Sequence, residues 1–247
     1  MNQGITEAQF LDQYNPKDYD SPLMTVDIAL FTLHESTLQI LLVERGDHPH
    51  KGRWALPGGF IDLKSDTELH DTAKRKLREK TGVDVPLLEQ VNTIGNARRD
   101  PRGWSVTALY MALVPHAPTA EFIETVKDAR WWPIDEVRKL PLAFDHAELV
   151  HLARERLKNK TAYTVLPIHV LKQPFSLTQL QQAFELLMDA TLEKKSFRRR
   201  ILNAEILEEV GEGVPEGGRG RPTALYRPAK NSEQYLFTRV FGDAVSS

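Results

Sequence analysis

The chain has 247 residues, 41% of them hydrophobic and 27% charged, enough for two modest domains or one large one of ordinary globular composition. A formal net charge of −2 gives no overall attraction to nucleic acid, so any such role must rest on local charge. There is no cysteine, which excludes disulfides, thiolate metal sites and a cysteine nucleophile.

The opening stretch, MNQGITEAQFLDQYNPKDYD, carries acids and no apolar h-region, so it is not expected to be a signal peptide, and residues 1–22 read as a polar lead-in. No run approaches about 18 uncharged apolar residues, so no membrane span is expected and the predicted location is the cytoplasm. Residues 25–33 (TVDIALFTL) and 38–45 (LQILLVER) predict two strands joined by a hairpin turn at HEST. A Gly/Pro-rich loop then leads into a helix with Leu69, Ala73 and Leu77 on its apolar face and Gly82 as its C-terminal glycine. Further strands are predicted around residues 88–94, 105–114 and 129–134, and a helix from about 145 to 157. The mix predicts an α+β domain over 23–158.

A linker at 159–174 joins it to a second domain at 175–247. There Ser176 suits the N-cap of a helix with Leu177, Leu180, Phe184 and Leu187 on one stripe. A second helix begins near Leu192, followed by EILEEVGEG and the glycine-rich basic turn EGGRGRPTALYRP. Two helices followed by a hairpin with a basic tip match the layout of a winged helix-turn-helix.

The stretch GRWALPGGFIDLKSDTELHDTAKRKLREKTGV resembles the Nudix box at Gly59, Arg75, Leu77, Glu79, Gly82 and Val83, with Trp54 to Gly58 before it. That family is an α/β/α sandwich whose box glutamates hold divalent metal. Here the first glutamate of the pattern falls at Thr67, with two extra residues between it and Gly59, and Lys76 and Lys80 replace two more. Positions 76, 79 and 80 share one helical face, where three carboxylates would hold Mg²⁺ or Mn²⁺ to polarise a diphosphate. The two lysines change the local formal charge from −3 to +1. No metal site or catalytic residue is therefore predicted. The lysines read either as solvated surface groups or as cations that help neutralise a bound diphosphate, with Glu79 between them a further candidate of the ligand site. Ligands recruited from Asp66 or Glu68 are the remaining option.

The run RRDPRGW and the stretch Leu142-Ala143-Phe144-Asp145-His146 resemble ADP-ribose pyrophosphatases of the same group. The resemblance implies a nucleotide-sugar pocket. Arg99 and Arg102 suit fork-like phosphate contacts, and Arg53 and Phe60 flank the glycine pair. Asp145 joins them as a candidate, while His146 reads as structural.

Residues 194–200 (KKSFRRR) hold five cations and no acid. Phe197 and Ile201 would dock the helix, leaving Lys194, Lys195, Ser196, Arg198 and Arg199 to meet DNA in the major groove. Arg219 and Arg221 on the turn, with Thr223, are the wing candidates. A degenerate Nudix domain fused to a winged helix resembles the Nudix-related transcriptional regulators of NAD metabolism. That resemblance implies a homodimeric repressor of NAD synthesis or salvage genes on palindromic operators, with ADP-ribose or a related nucleotide as effector and no cofactor. An ADP-ribose pyrophosphatase with an accessory dimerisation or targeting domain is the alternative, and an RNA-binding Nudix relative a third.

Overall fold

The computed structural model describes residues 4–82, 85, 88–117, 126–213, 222–230 and 232–241. After a short exposed helix α1 (Glu7–Gln13), the chain forms β1 (Leu23–His34), β2 (Thr37–Arg45), β3 (Trp54–Ala55), β4 (Gly58–Phe60) and α2 (Leu69–Thr81). Then come β5 (Leu88–Asn96), β6 (Ser105–Leu113), β7 (Val126–Pro133), the short α3 (Ile134–Val137) and α4 (His146–Thr161). These seven strands form one mixed sheet, with β1 parallel to β6 and antiparallel to β2 and β4. Glu35 and Ser36, both at positive φ (48° and 57°), make the tight turn expected between β1 and β2.

The period of two along the central strands builds a sandwich. Val26, Ile28, Leu30, Ala108 and Tyr110 face α2 and pack with its Ala73 and Leu77. Ala29, Phe31, Leu109 and Met111 face the other way, against Leu149, Val150, Ala153 and Leu157 of α4. Burying one such Leu or Phe contributes roughly 1.5–3 kcal/mol, so the alternation fixes which helix covers which face. The α/β/α sandwich expected for the N-terminal part is thus present.

The C-terminal part contains β8 (Phe175–Ser176), α5 (Leu177–Met188), α6 (Lys194–Asn203), β9 (Leu207–Gly213) and β10 (Thr223–Pro228). Ser176 and Gln179 form a reciprocal capping box that starts α5. Glu185 accepts from the Leu192 N–H at 2.8 Å and fixes the turn into α6. β9 and β10 pair antiparallel, and β8 adds to the outer side of β10. This is the winged helix architecture.

The stretch 159–174 is no free spacer. α4 runs on to Thr161, and Val165, Leu166, Ile168 and Val170 are 2–4% exposed. Leu166 and Val170 share a core with the sheet face and with Ala183 and Leu187 of α5, while Val165 and Ile168 belong to the core of the winged helix. Arg154 of α4 also donates to the Leu187 carbonyl at 2.6 Å. The apolar string VLPIHVL is buried because both halves have apolar faces to cover. No helix among the described residues is long and apolar enough to cross a membrane.

Candidate functional site

A cavity of about 390 Å³ opens where the ends of β1 and β2 meet the glycine pair, the RRDPRG loop and the start of α4. Its floor is a buried charge network. Asp27 on β1 accepts from the Thr107 hydroxyl at 2.8 Å and lies 3.5 Å from Arg99 Nη2 and 3.7 Å from His146 Nε2. Arg99 donates through Nε and Nη2 to the two oxygens of Asp145 at 2.9 and 3.1 Å. His146 Nδ1 accepts from the Leu56 N–H at 2.9 Å, which leaves its proton on Nε2. Burial lowers the His146 pKa, outweighing Asp27, and keeps the imidazole neutral.

The walls alternate cations and rings. Arg102 is held by Asp100 through Nε and Nη2, and its guanidinium lies 5.0 Å over Phe60 and 6.0 Å from Phe144. Arg45 lies 4.7 Å over the same Phe144 and donates to the Pro49 carbonyl. Burial and the neighbouring Arg102 charge both lower the Arg45 pKa. Such cation–ring stacking leaves in-plane N–H donors free for an anion.

Lys76 reaches in from α2. Gly58 and Gly59 are required beside it. A Cβ on Gly58 would collide with the Val26 carbonyl, and one on Gly59, which sits at φ 152°, would meet Lys76 Cε at 3.1 Å. The Lys76 ammonium pairs with Glu79 at 2.9 Å, and Glu79 also accepts from Arg75 at 3.0 Å. Arg75 chelates Asp66, which it holds far below the usual carboxylate range. Asp66 and Glu79 are therefore tied to cations rather than gathered as ligands. Among the described residues no three His, Cys, Asp or Glu come together to hold a metal ion. The donor set does not fit a divalent cation.

Of the pocket candidates, Phe60, Lys76, Arg99 and Arg102 line one cavity. Arg99 corrects the expectation of an open phosphate fork: it is 7% exposed and its guanidinium is already paired. Asp145 lies behind the cavity as that partner. Arg53 is exposed and Glu79 lines a separate groove with Asp66 and Arg75. The Lys80 side chain lies outside the described residues. Sequence reasoning did not single out Arg45, Asp27 or Phe144; the available signals were Phe144 within the Leu142-to-His146 stretch and Arg45 closing LQILLVER just before a Gly/Pro loop.

On α6, Phe197 and Ile201 are buried, while Lys194, Lys195, Ser196 and Arg199 face solvent. Glu193 caps the helix by accepting from the Lys195 and Ser196 N–H groups, bonds that hold it below the usual carboxylate range. Arg198 departs from the expected outward position: it is half-buried and donates to the Thr178 hydroxyl of α5 at 3.2 Å. Thr223 opens β10, and Arg219 and Arg221 lie outside the described residues.

Residues 23–153 match the family model of the NUDIX domain, and residues 167–227 that of the NrtR DNA-binding winged helix domain. The chain is 48% identical to the ADPR responsive transcriptional repressor NtrR of Acinetobacter baylyi, over 95% of this chain and 93% of that protein. It is similar to the crystal structure of Shewanella oneidensis NrtR complexed with a 27mer DNA (44% identity, TM-score 0.80, 88% of this chain and 98% of that one). The NUDIX domain of Shewanella oneidensis NrtR in complex with ADP ribose matches at 50% identity and TM-score 0.60, covering 62% of this chain and 99% of that one.

Proposed function

The chain belongs to the NUDIX family and carries the NrtR DNA-binding winged helix domain, and from that membership we propose that it is a transcriptional repressor whose effector is ADP-ribose or a close relative. The observation that carries the effector half is the cavity beneath β4. Where the box would gather carboxylates, Lys76 presents an ammonium, flanked by Arg45 and Arg102. A diphosphate neutralised by fixed cations is bound without a metal, and without metal-activated water it is not cleaved. The chain is thus a sensor rather than a hydrolase. The rival pyrophosphatase reading needs carboxylates that Arg75 and Lys76 already hold.

The exposed basic face of α6 reads duplex DNA. Two copies in a homodimer place their helices about 34–36 Å apart, in successive major grooves of a palindromic operator. The regulated genes are those of NAD synthesis or salvage, and the protein works in the cytoplasm. Effector binding changes the affinity for the operator by a coupling of about 1–3 kcal/mol, or roughly 5–150-fold.

The test is a gel shift of the full-length protein on its own upstream DNA, with and without ADP-ribose. A shift altered by ADP-ribose at micromolar to millimolar concentration is expected. A duplex complex indifferent to millimolar ADP-ribose, or AMP release at rates normal for an intact hydrolase, would overturn this reading.

A further inference from the structure

Arg200 differs from the other cations of α6. Its guanidinium lies 3.9 Å from the centre of the Phe241 ring and 4.9 Å from that of Phe237, and its Nη1 donates to the Val240 carbonyl at 3.1 Å. Its Nη2 is buried without a partner. Burying an underpaired cation is costly when the neighbouring Lys195 and Arg199 face water, so the placement needs a compensating role.

The rings that Arg200 meets belong to residues 235–241, which follow β10 and lie beyond the 167–227 match to the winged helix. On its other side this segment is fastened to the end of α4. The Phe237 N–H donates to the Tyr163 carbonyl at 2.8 Å and the Phe241 N–H to the Ala162 carbonyl at 2.7 Å, and Leu236 bridges Thr164. These carbonyls follow the last turn of α4, where a helix leaves acceptors without partners of its own. Phe237 and Phe241 also pack on Phe184 of α5, and Phe241 on Phe197 of α6. The far end of α4 meets the cavity, where His146 lines it and Asp145 stands behind as the partner of Arg99. The 16 residues of the helix span about 24 Å.

We propose that Arg200 is a positioning residue, through which the strap of residues 235–241 holds the DNA-reading helix at a fixed place relative to the end of α4. A shift of α4 at the cavity then reaches α6 through the strap as well as through the shared core. The inference rests on the reading of α6 as the DNA face.

The experiment uses the full-length protein, duplex upstream DNA and ADP-ribose. Arg200→Met keeps the apolar stem over the rings and removes both the charge and the unpartnered donor. Arg200→Lys restores a cation, and Arg199→Ala serves as the comparator for a phosphate contact. DNA affinity is measured between about 50 and 200 mM salt, and ADP-ribose affinity and thermal midpoint are measured alongside. Arg199→Ala is expected to weaken DNA binding and lower the salt slope by about one. Arg200→Met is expected to weaken DNA binding about tenfold at an unchanged salt slope, and to shrink the ratio of affinities with and without ADP-ribose. ADP-ribose affinity and thermal midpoint stay as in the unaltered protein, and Arg200→Lys recovers both DNA properties.

The inference is overturned if Arg200→Met binds and responds as the unaltered protein does. It is also overturned if the salt slope falls by about one, making Arg200 a phosphate contact, or if a lowered midpoint accounts for the lost binding. Failure of the unaltered protein to bind duplex would instead sink the functional reading, a result no Arg200 variant can imitate.

Discussion

At the scale of residues, the cavity floor sets a pH dependence. His146 is buried and neutral, and burial lowers its pKa from the ordinary 6.5. The unfolded chain takes up a proton on this imidazole near pH 6.5, whereas the folded chain resists it. The contribution to stability is therefore complete above that pH and lost as pH falls below it. Urea midpoints between about pH 7.5 and 5.5 should decline, and His146→Asn, which keeps an acceptor for the Leu56 N–H without titrating, should flatten the decline. Equal slopes for the two proteins would remove His146 from the account. Lys76 was legible because its place in the box puts it on the side of α2 that meets the glycine pair, whereas the Lys80 side chain lies outside the described residues. The pairing of Arg99 was not legible, because its partner Asp145 is 46 residues away and no local pattern announces that contact.

The elements were legible wherever an apolar run or a helical stripe was present. The apolar runs of β1 and β6 and the stripe of α5 appear in the fold at close to the expected bounds. What local pattern could not carry was contact order: the parallel pairing of β1 with β6, the two-residue β8, and the strap, whose ring cluster has no repeat. The seam at 159–174 was misjudged for a related reason, since an apolar run short of a period reads as connection until two faces are known to flank it. The start of α5 gives a direct check. Ser176→Ala removes one half of its capping box and should cost about 1 kcal/mol, read as a lowered denaturant midpoint at an unchanged m-value. A change within about 0.2 kcal/mol would mean that β8 pairing alone fixes the helix start.

The whole molecule is held as one body by a core that both halves share. Leu166, Val170, Ala183 and Leu187 sit with the residues that back the central sheet. Calorimetry should therefore give one unfolding transition, and ADP-ribose at about a hundredfold over its Kd should stabilise all of it, by about 2.7 kcal/mol. Two transitions, with only the lower or upper one moved by ADP-ribose, would show that the seam does not couple the halves.

The strap bears on any attempt to exchange DNA specificity between related repressors. A graft cut at the edges of the recognisable winged helix would leave two carbonyls at the end of α4 without donors, and would strip the aromatic bed from beneath Arg200. The transplantable unit begins instead within the last turn of α4 and runs through Phe241, so a working chimera must carry its own suture.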